Sequence, residues 1–432
     1  METTIRFAPI DVGRWFVWGA TALLFAVLPL VFSSGFAITL LSQMGIMVIF
    51  ALSYNMIFGQ GGMLSFGHAV YSGLGAFFAI HALNWIGSGQ LWLPVSLVPL
   101  VPLVGGVFGA VFGVVFGYVT TKKAGTPFAM ITLGIGEMVF SASLMFPAFF
   151  GGEGGISSNR VVGEPFLGIT FGPGLQVYYL IAAWCFACMV AMFAFTHTPL
   201  GRIANAVRDN PERAEFIGYN PQRVRFFVLV VSAFFAGIAG GLSAINFEIV
   251  TAENVSAIRS GGVLLATFIG GTMFFFGPIL GAVVFVFFAV ALSDYTKAWQ
   301  FYLGVFFVAM VMFAPGGVAS LILTNLRVMK HRLFGRLRDP YAGVLLSGLV
   351  LLAGVVMVVE MSYHLTLNFA AGSRMRLFGF EVDSAAPGIW LLALGVLAAG
   401  ALGFEVMRRR FAREWGAVQA EIEERSRREA GV

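Results

Sequence analysis

The sequence predicts an all-α, polytopic integral membrane bundle of about ten core helices, with two further transmembrane helices at the C-terminal end. Three observations carry this. Of 432 residues, 59% are hydrophobic and only 11% charged, where a soluble domain carries about 25% charged residues. Apolar runs of membrane-spanning length recur along the chain. Basic residues gather in alternate connecting segments. With a mean hydropathy of +0.89, no soluble fold of this length hides so much apolar surface, so much of it must face lipid.

A helix needs roughly 17–25 mainly apolar residues to cross the hydrocarbon core. That ruler places spans at 15–32, 36–57, 62–83, 91–120, 126–149, 175–196, 226–245, 261–276, 278–293, 299–314, 342–360 and 388–407. The charged residues Glu2, Arg6, Asp11 and Arg14 precede a first run long enough to span, which reads as an uncleaved helix rather than a leader. Pro94, Pro99 and Pro102 suggest a broken start to the long 91–120 run. The runs 261–276 and 278–293 are short, meet at Gly277-Pro278, and fit a tight hairpin of half-length helices.

Loop charge orients these spans. With the N-terminus inside, the segments 1–14, 121–125, 197–225, 315–341 and 408–432 face the cytoplasm and hold 21 of the 26 Lys and Arg residues. The remaining five, Arg160, Arg259, Lys297, Arg374 and Arg376, fall outside. This is the asymmetry of the positive-inside rule, and it accounts for the formal charge of +5 without nucleic-acid binding. The chain therefore divides into a cytoplasmic N-terminus (1–14), a Gly-rich transmembrane core (15–320) and a basic cytoplasmic linker (321–341). Two clean apolar spans (342–407) and a charged cytoplasmic tail (408–432) follow, the tail as a helix beneath the membrane with Arg408, Arg409 and Arg410 at the headgroups.

Four stretches stand out. Gly59, Gly61 and Gly62 interrupt the second span, so the backbone should unwind there. Such a break is tolerated at membrane depth only when buried in protein or lining a wet cavity. Ser65, His68 and Ser72 then recur at helical spacing, either as a polar stripe along a pathway or as a small-residue helix contact. Glu137 lies mid-span, where a carboxylate costs about 2.5–3.5 kcal/mol unless it meets a partner or water, so it should face the bundle interior. The run Gly151-Gly-Glu-Gly-Gly155 reads as a mobile outer loop. It has no following Lys-Ser/Thr, so it is no phosphate loop.

The fourth stretch, 197–225, is a long inner loop. Pro199 should start a short helix ending near Asp209-Asn210, and Asn210 should cap a second one begun by Pro211 and stopped by Gly218. Two short charged helices under a membrane make a docking surface. Cys185 and Cys188 form a C-x-x-C spacing inside an apolar run, which suits packed thiols better than a metal or redox pair. The five histidines make no metal set, and no nucleophilic triad is evident, which sets an enzyme aside. A proton-coupled secondary transporter needs only Glu137 and this chain, but it does not explain the docking-type loop.

These motifs resemble the permease subunits of branched-chain amino acid ATP-binding-cassette transporters. The loop pattern of that family is matched by Thr198, Pro199, Gly201, Arg202, Arg208, Asp209, Asn210, Ala214 and Gly218. Its glycine-rich break is matched by Gly59, Gly62, Ser65, Gly67 and His68, and its Thr-Leu…Glu element by Thr132, Leu133 and Glu137. The Ser232–Gly241 helix and the run Gly270, Gly271, Gly277, Pro278, Gly281, Ala282 match too. The resemblance covers about 15–320; residues 342–432 depart from it. It implies a multi-pass permease of the bacterial inner membrane, with both termini cytoplasmic. It also implies a second permease subunit, two cytoplasmic ATPases and a periplasmic binding protein. ATP and magnesium would sit on the ATPases, and this chain would carry no cofactor or metal and no enzymatic activity. The implied translocation pathway runs through Gly59, Gly62, Ser65, His68, Ser72, Thr132 and Glu137. The implied ATPase-coupling loop uses Pro199, Gly201, Arg202, Arg208, Asp209, Asn210, Glu215 and Gly218. The expected cargo is a branched-chain amino acid; urea and aromatic or aliphatic carboxylates are carried by related permeases and remain alternatives.

Overall fold

The computed structural model describes residues 12–88, 95–162, 168–367 and 372–429. The expected features of residues 1–11 and Pro94 lie outside these. The chain forms two compact units, Met1–Ala291 with Met310–Val318, and Leu292–Ala309 with Ala319–Val432.

The first unit begins with α1 (Val12–Val31) and α2 (Gly35–Asn55), whose first turn is capped by the Ser34 hydroxyl accepting from the Ala37 amide. α2 passes into a π-helical turn, Met56–Gln60, and the chain stays non-helical until α3 (Ala69–Gly87). Then come α4 (Val101–Thr120), α5 (Thr126–Met145) and the single turn α6 (Pro147–Phe150). The long α7 (Gly174–His197) leads into the short α8 (Pro199–Asp209) and α9 (Pro211–Phe216). α10 (Pro221–Phe247), α11 (Ala257–Gly270) and α12 (Gly277–Val286, extended by a π-helical stretch to Leu292) complete the unit's helices. The Gly-rich stretch after α6 takes set turns rather than forming an open loop, because β1 (Ile156–Ser157) pairs antiparallel with β2 (Ile249–Val250).

α10 is the axis of this unit. Its glycines let α3 and α4 approach to backbone contact, as small residues do in membrane bundles. A Cβ on Gly240 would lie 1.9 Å from the Ser72 carbonyl oxygen, and one on Gly237 2.1 Å from that of Gly105. Cys185 and Cys188 are buried, free thiols in the apolar core formed around these helices.

The second unit takes in the turn α13 (Ser293–Tyr295), most of α14 (Trp299–Phe313) and α15 (Gly317–Lys330). α16 (Phe334–Leu367), the hairpin β3 (Arg374–Leu377) and β4 (Phe380–Asp383), and α17 (Pro387–Glu429) complete it. α16 and α17 pack through Gly354 and Gly400, where a Cβ would meet the backbones of Leu397 and Leu351 at 2.6 and 2.5 Å.

Among the described residues, nine helices are long and apolar enough to cross a membrane, or up to ten if the bent pair α14–α15 is one span. This is a polytopic helical membrane protein. Several expected boundaries move. The third helix starts at Ala69 rather than 62, because Gly62 turns the backbone to φ +66°. Of the expected half-length pair only α11 is short, while the helical run from Gly277 reaches Tyr295. The expected linker 321–341 is helical except near 331–333, because α15 continues to Lys330 and α16 resumes at Phe334. The tail is the continuation of α17, whose 43 residues extend roughly 65 Å. It folds back on α15 and the start of α16 through Val328, Leu333, Leu337, Val418 and Ile422, with an Arg336–Glu421 pair at 2.6 Å. Nor is the span before it wholly apolar. Glu360 accepts hydrogen bonds from the Thr296 and Tyr302 hydroxyls at 2.6 and 2.9 Å, which meets the cost of a carboxylate in an apolar helix.

Candidate functional site

The break after α2 is where the chain's polar interior concentrates. Gly59 lies in the π-helical turn; a Cβ there would collide with the Asn55 side chain at 2.2 Å. Beyond Gly62, the segment up to His68 is non-helical yet enclosed by protein, which is one of the two conditions under which such backbone survives in a bilayer. Ser65, His68 and Ser72 are each no more than 1% exposed. His68 stacks on Phe50, is flanked edge-on by Tyr54 and Tyr71, and places Nε2 3.0 Å from the Ser53 hydroxyl. Ser65 receives the Tyr54 hydroxyl on its carbonyl at 3.0 Å, and its own hydroxyl accepts from the Gly67 amide at 3.3 Å. The Ser260 hydroxyl accepts from the Ala69 amide at 3.0 Å, which caps the start of α3.

Only Ser72 of the three expected stripe residues is on a helix, since Ser65 and His68 precede α3. Ser65 and His68 knit the break shut inside this chain, while the buried Ser72 hydroxyl makes no hydrogen bond among the described residues. Thr132 joins them from α5: its hydroxyl accepts from the Phe66 amide at 3.2 Å, and a Cβ on Gly67 would lie 2.1 Å from its carbonyl oxygen. Glu137 differs from expectation. It does not turn into the chain's own bundle but sits on the exposed face of α5, next to the 55%-exposed Met138. Spacing along one helix cannot say which face its neighbours cover.

The long loop folds as its caps require. Thr198 accepts from the Gly201 amide at 3.2 Å ahead of Pro199, Asn210 from the Arg213 amide at 2.8 Å ahead of Pro211, and Gly218 takes φ +92° after α9. Gly201, Ala204 and Val207 turn inward on α8; Arg202, Asp209, Asn210 and Glu215 are exposed. Phe216 is 90% and Ile217 65% exposed, an apolar knob ringed by charge.

Arg208 connects this loop to the break. One Nη1 proton is donated to the Gly59 carbonyl, while Nε holds Asp209 at 2.8 Å. Its aliphatic stem fills the space that a side chain on Gly62 would need, since a Cβ there would lie 2.7 Å from Cγ. So the loop and the unwound end of α2, about 150 residues apart in sequence, form one contact.

Sequence reasoning passed over two arginines by counting them as outer-loop charge. Arg160 gathers the carbonyls of Phe171, Gly172 and Asn246 and pairs with Glu248 at 3.5 Å, which ties off the end of α10. Arg259, on the first turn of α11, lines a cavity of about 580 Å3 bounded by α2, α5, α10, α11 and α12. The only hint in the sequence is an arginine set three residues into a Ser-capped apolar helix.

The family model described as branched-chain amino acid transport system / permease component matches residues 36–315. The high-affinity branched-chain amino acid transport system permease protein LivM of Salmonella typhimurium is 26% identical over 306 residues, covering 66% of this chain and 70% of that protein. The protein of the same name in Escherichia coli is 25% identical over the same length and shares. No solved structure matches this chain.

Proposed function

The chain belongs to the family of permease components of branched-chain amino acid transport systems, and we propose that it is the membrane-spanning subunit of an ATP-driven importer. In this reading it pairs with a second permease subunit in a bacterial inner membrane. Two ATPases dock on α8 and α9 from the cytoplasm, and a binding protein delivers a branched-chain amino acid from the other side. ATP and magnesium belong to the ATPases, and this chain carries no cofactor of its own.

The observation that carries this reading is the Arg208 contact. A docked ATPase would grip the exposed charges of α8 and α9 and the Phe216–Ile217 knob. Any displacement of α8 then moves Arg208, and with it the Gly59 carbonyl and the Gly62 turn. The break is built to pass on such movement, because its hydrogen bonds from Ser53, Ser65, His68 and Thr132 are side-chain bonds that can exchange without unwinding a regular helix. The pathway would open and close beside it, with Glu137 on the α5 face turned toward the second permease subunit. Motion of this kind gives alternating access, and it needs two discrete arrangements of the break.

Arg208→Ala tests the coupling in the assembled transporter. Stimulated ATP hydrolysis should persist while uptake of labelled leucine falls at least tenfold. Wild-type rates of both would reduce the 197–225 loop to a linker.

A further inference from the structure

The cavity holding Arg259 has an unusual charge balance. The guanidinium donates from Nη1 to the Asn254 side chain at 2.8 Å and from Nη2 to the Ser243 hydroxyl at 3.4 Å. Both acceptors are neutral, and both also line the cavity. Nε is buried with no hydrogen-bond partner, and among the described residues Arg259 makes no ion pair with a carboxylate. A partly buried cation left without a counter-charge is costly, and ordinary structural arginines avoid it by pairing. The Arg160 side chain does so, with four carbonyl partners and Glu248.

The edge of Arg259 formed by Nε and Nη2 carries only the long Ser243 contact. Nε is enclosed by protein, so Nη2 is the group on this edge left to receive a carboxylate oxygen in a charge-assisted hydrogen bond. The surrounding wall is mostly apolar, from Ile46, Met47 and Phe50 on α2, Phe140 on α5 and Phe285 on α12. Glu253, exposed on the turn before α11, supplies a carboxylate at the same cavity. The volume suits one small solute, since ligand sites run about 300–1,000 Å3.

We infer that this cavity is a binding site for a small α-amino acid with an aliphatic side chain. Its carboxylate pairs with the Arg259 guanidinium at Nη2, its ammonium faces Glu253 and its side chain packs on Phe50, Phe140 and Phe285. This deepens the permease reading and rests on it for the solute's identity. The cavity places recognition of the zwitterion inside the membrane subunit, one helical turn along α5 from Glu137.

The test uses the purified full-length chain in nanodiscs and the shift of its unfolding temperature with added L-leucine, leucinol or 4-methylpentanoate. Leucine should give a saturable upward shift. Leucinol, which lacks the carboxylate, and 4-methylpentanoate, which lacks the ammonium, should each bind at least tenfold more weakly. Arg259→Gln should lose leucine binding at least tenfold; Glu253→Gln, at an exposed turn, should weaken leucine but not 4-methylpentanoate. The inference falls if no compound shifts the wild-type chain, if leucinol or 4-methylpentanoate binds as tightly as leucine, or if folded Arg259→Gln binds like the wild type. Leucine uptake in cells with and without the gene separates the two readings. Gene-dependent uptake with no leucine binding to the chain removes the cavity and keeps the permease. Leucine binding with gene-independent uptake keeps the cavity and removes the transport assignment.

Discussion

At Gly240, α10 lies so close to α3 that a single added carbon would meet the Ser72 carbonyl oxygen at 1.9 Å. The obstacle is backbone, so no side-chain rotation relieves it. Gly240→Val is therefore expected to cost at least about 1–3 kcal/mol through overpacking, read as a lower unfolding temperature of the detergent-purified chain. Gly304→Ala is the control: nothing lies within 4 Å of a Cβ there, and its unfolding temperature should be no lower than that of the wild type. The same scale shows what one-dimensional spacing conveys about a site. Ser65, His68 and Ser72 are legible in the sequence as polar residues beside a break. Their enclosure by Phe50, Tyr54 and Tyr71 is not, because those rings reach His68 only once α2 and α3 are packed together.

Capping chemistry governs the elements. Thr198, Asn210 and Asn220 each accept an amide at the start of the helix that follows, each ahead of a proline whose missing N–H costs nothing there. That is why the 197–225 loop was readable as two short helices. The β3–β4 hairpin shows a pH-sensitive counterpart. Asp383 accepts from the Ala385 amide at 3.0 Å and from Ser373, and these bonds, with Arg374 nearby, hold its carboxyl below the usual carboxylate range. A depressed carboxylate contributes stability that is present above its ordinary value of 3.8 and is lost as pH falls through the folded value. Amide exchange at Ala385, corrected for the intrinsic rate, should quicken as pH drops from neutral to below that value. Asp383→Asn, which keeps an acceptor but does not titrate, should abolish the dependence. Persistence of the dependence in that variant would show that a group other than Asp383 sets it.

For the whole molecule, the distribution of Lys and Arg predicts which segments lie on which side. Glu212→Cys, on α9, should react with a membrane-impermeant thiol reagent only when the cytoplasmic side is opened. Glu153→Cys, in the turn after α6, should react in intact spheroplasts. The natural cysteines give little background because both are buried. Reaction of both variants from the same side would overturn the assigned topology.

The apolar runs by themselves determined the fold class and nearly every helix, because a span in lipid must satisfy its backbone hydrogen bonds internally, and length and hydropathy are local properties. Cap residues and loop charge are equally local, which is why the two short helices of the 197–225 loop were within reach and an orientation can be proposed. Only the tertiary structure decided which face each helix turns to its neighbours. That put Glu137 on the exposed side of α5, brought Arg208 onto Gly59, and left Arg259 lining a cavity with no carboxylate paired to it among the described residues. Each of these depends on side chains converging from helices far apart in the chain, and the period of one helix carries no record of what packs against it.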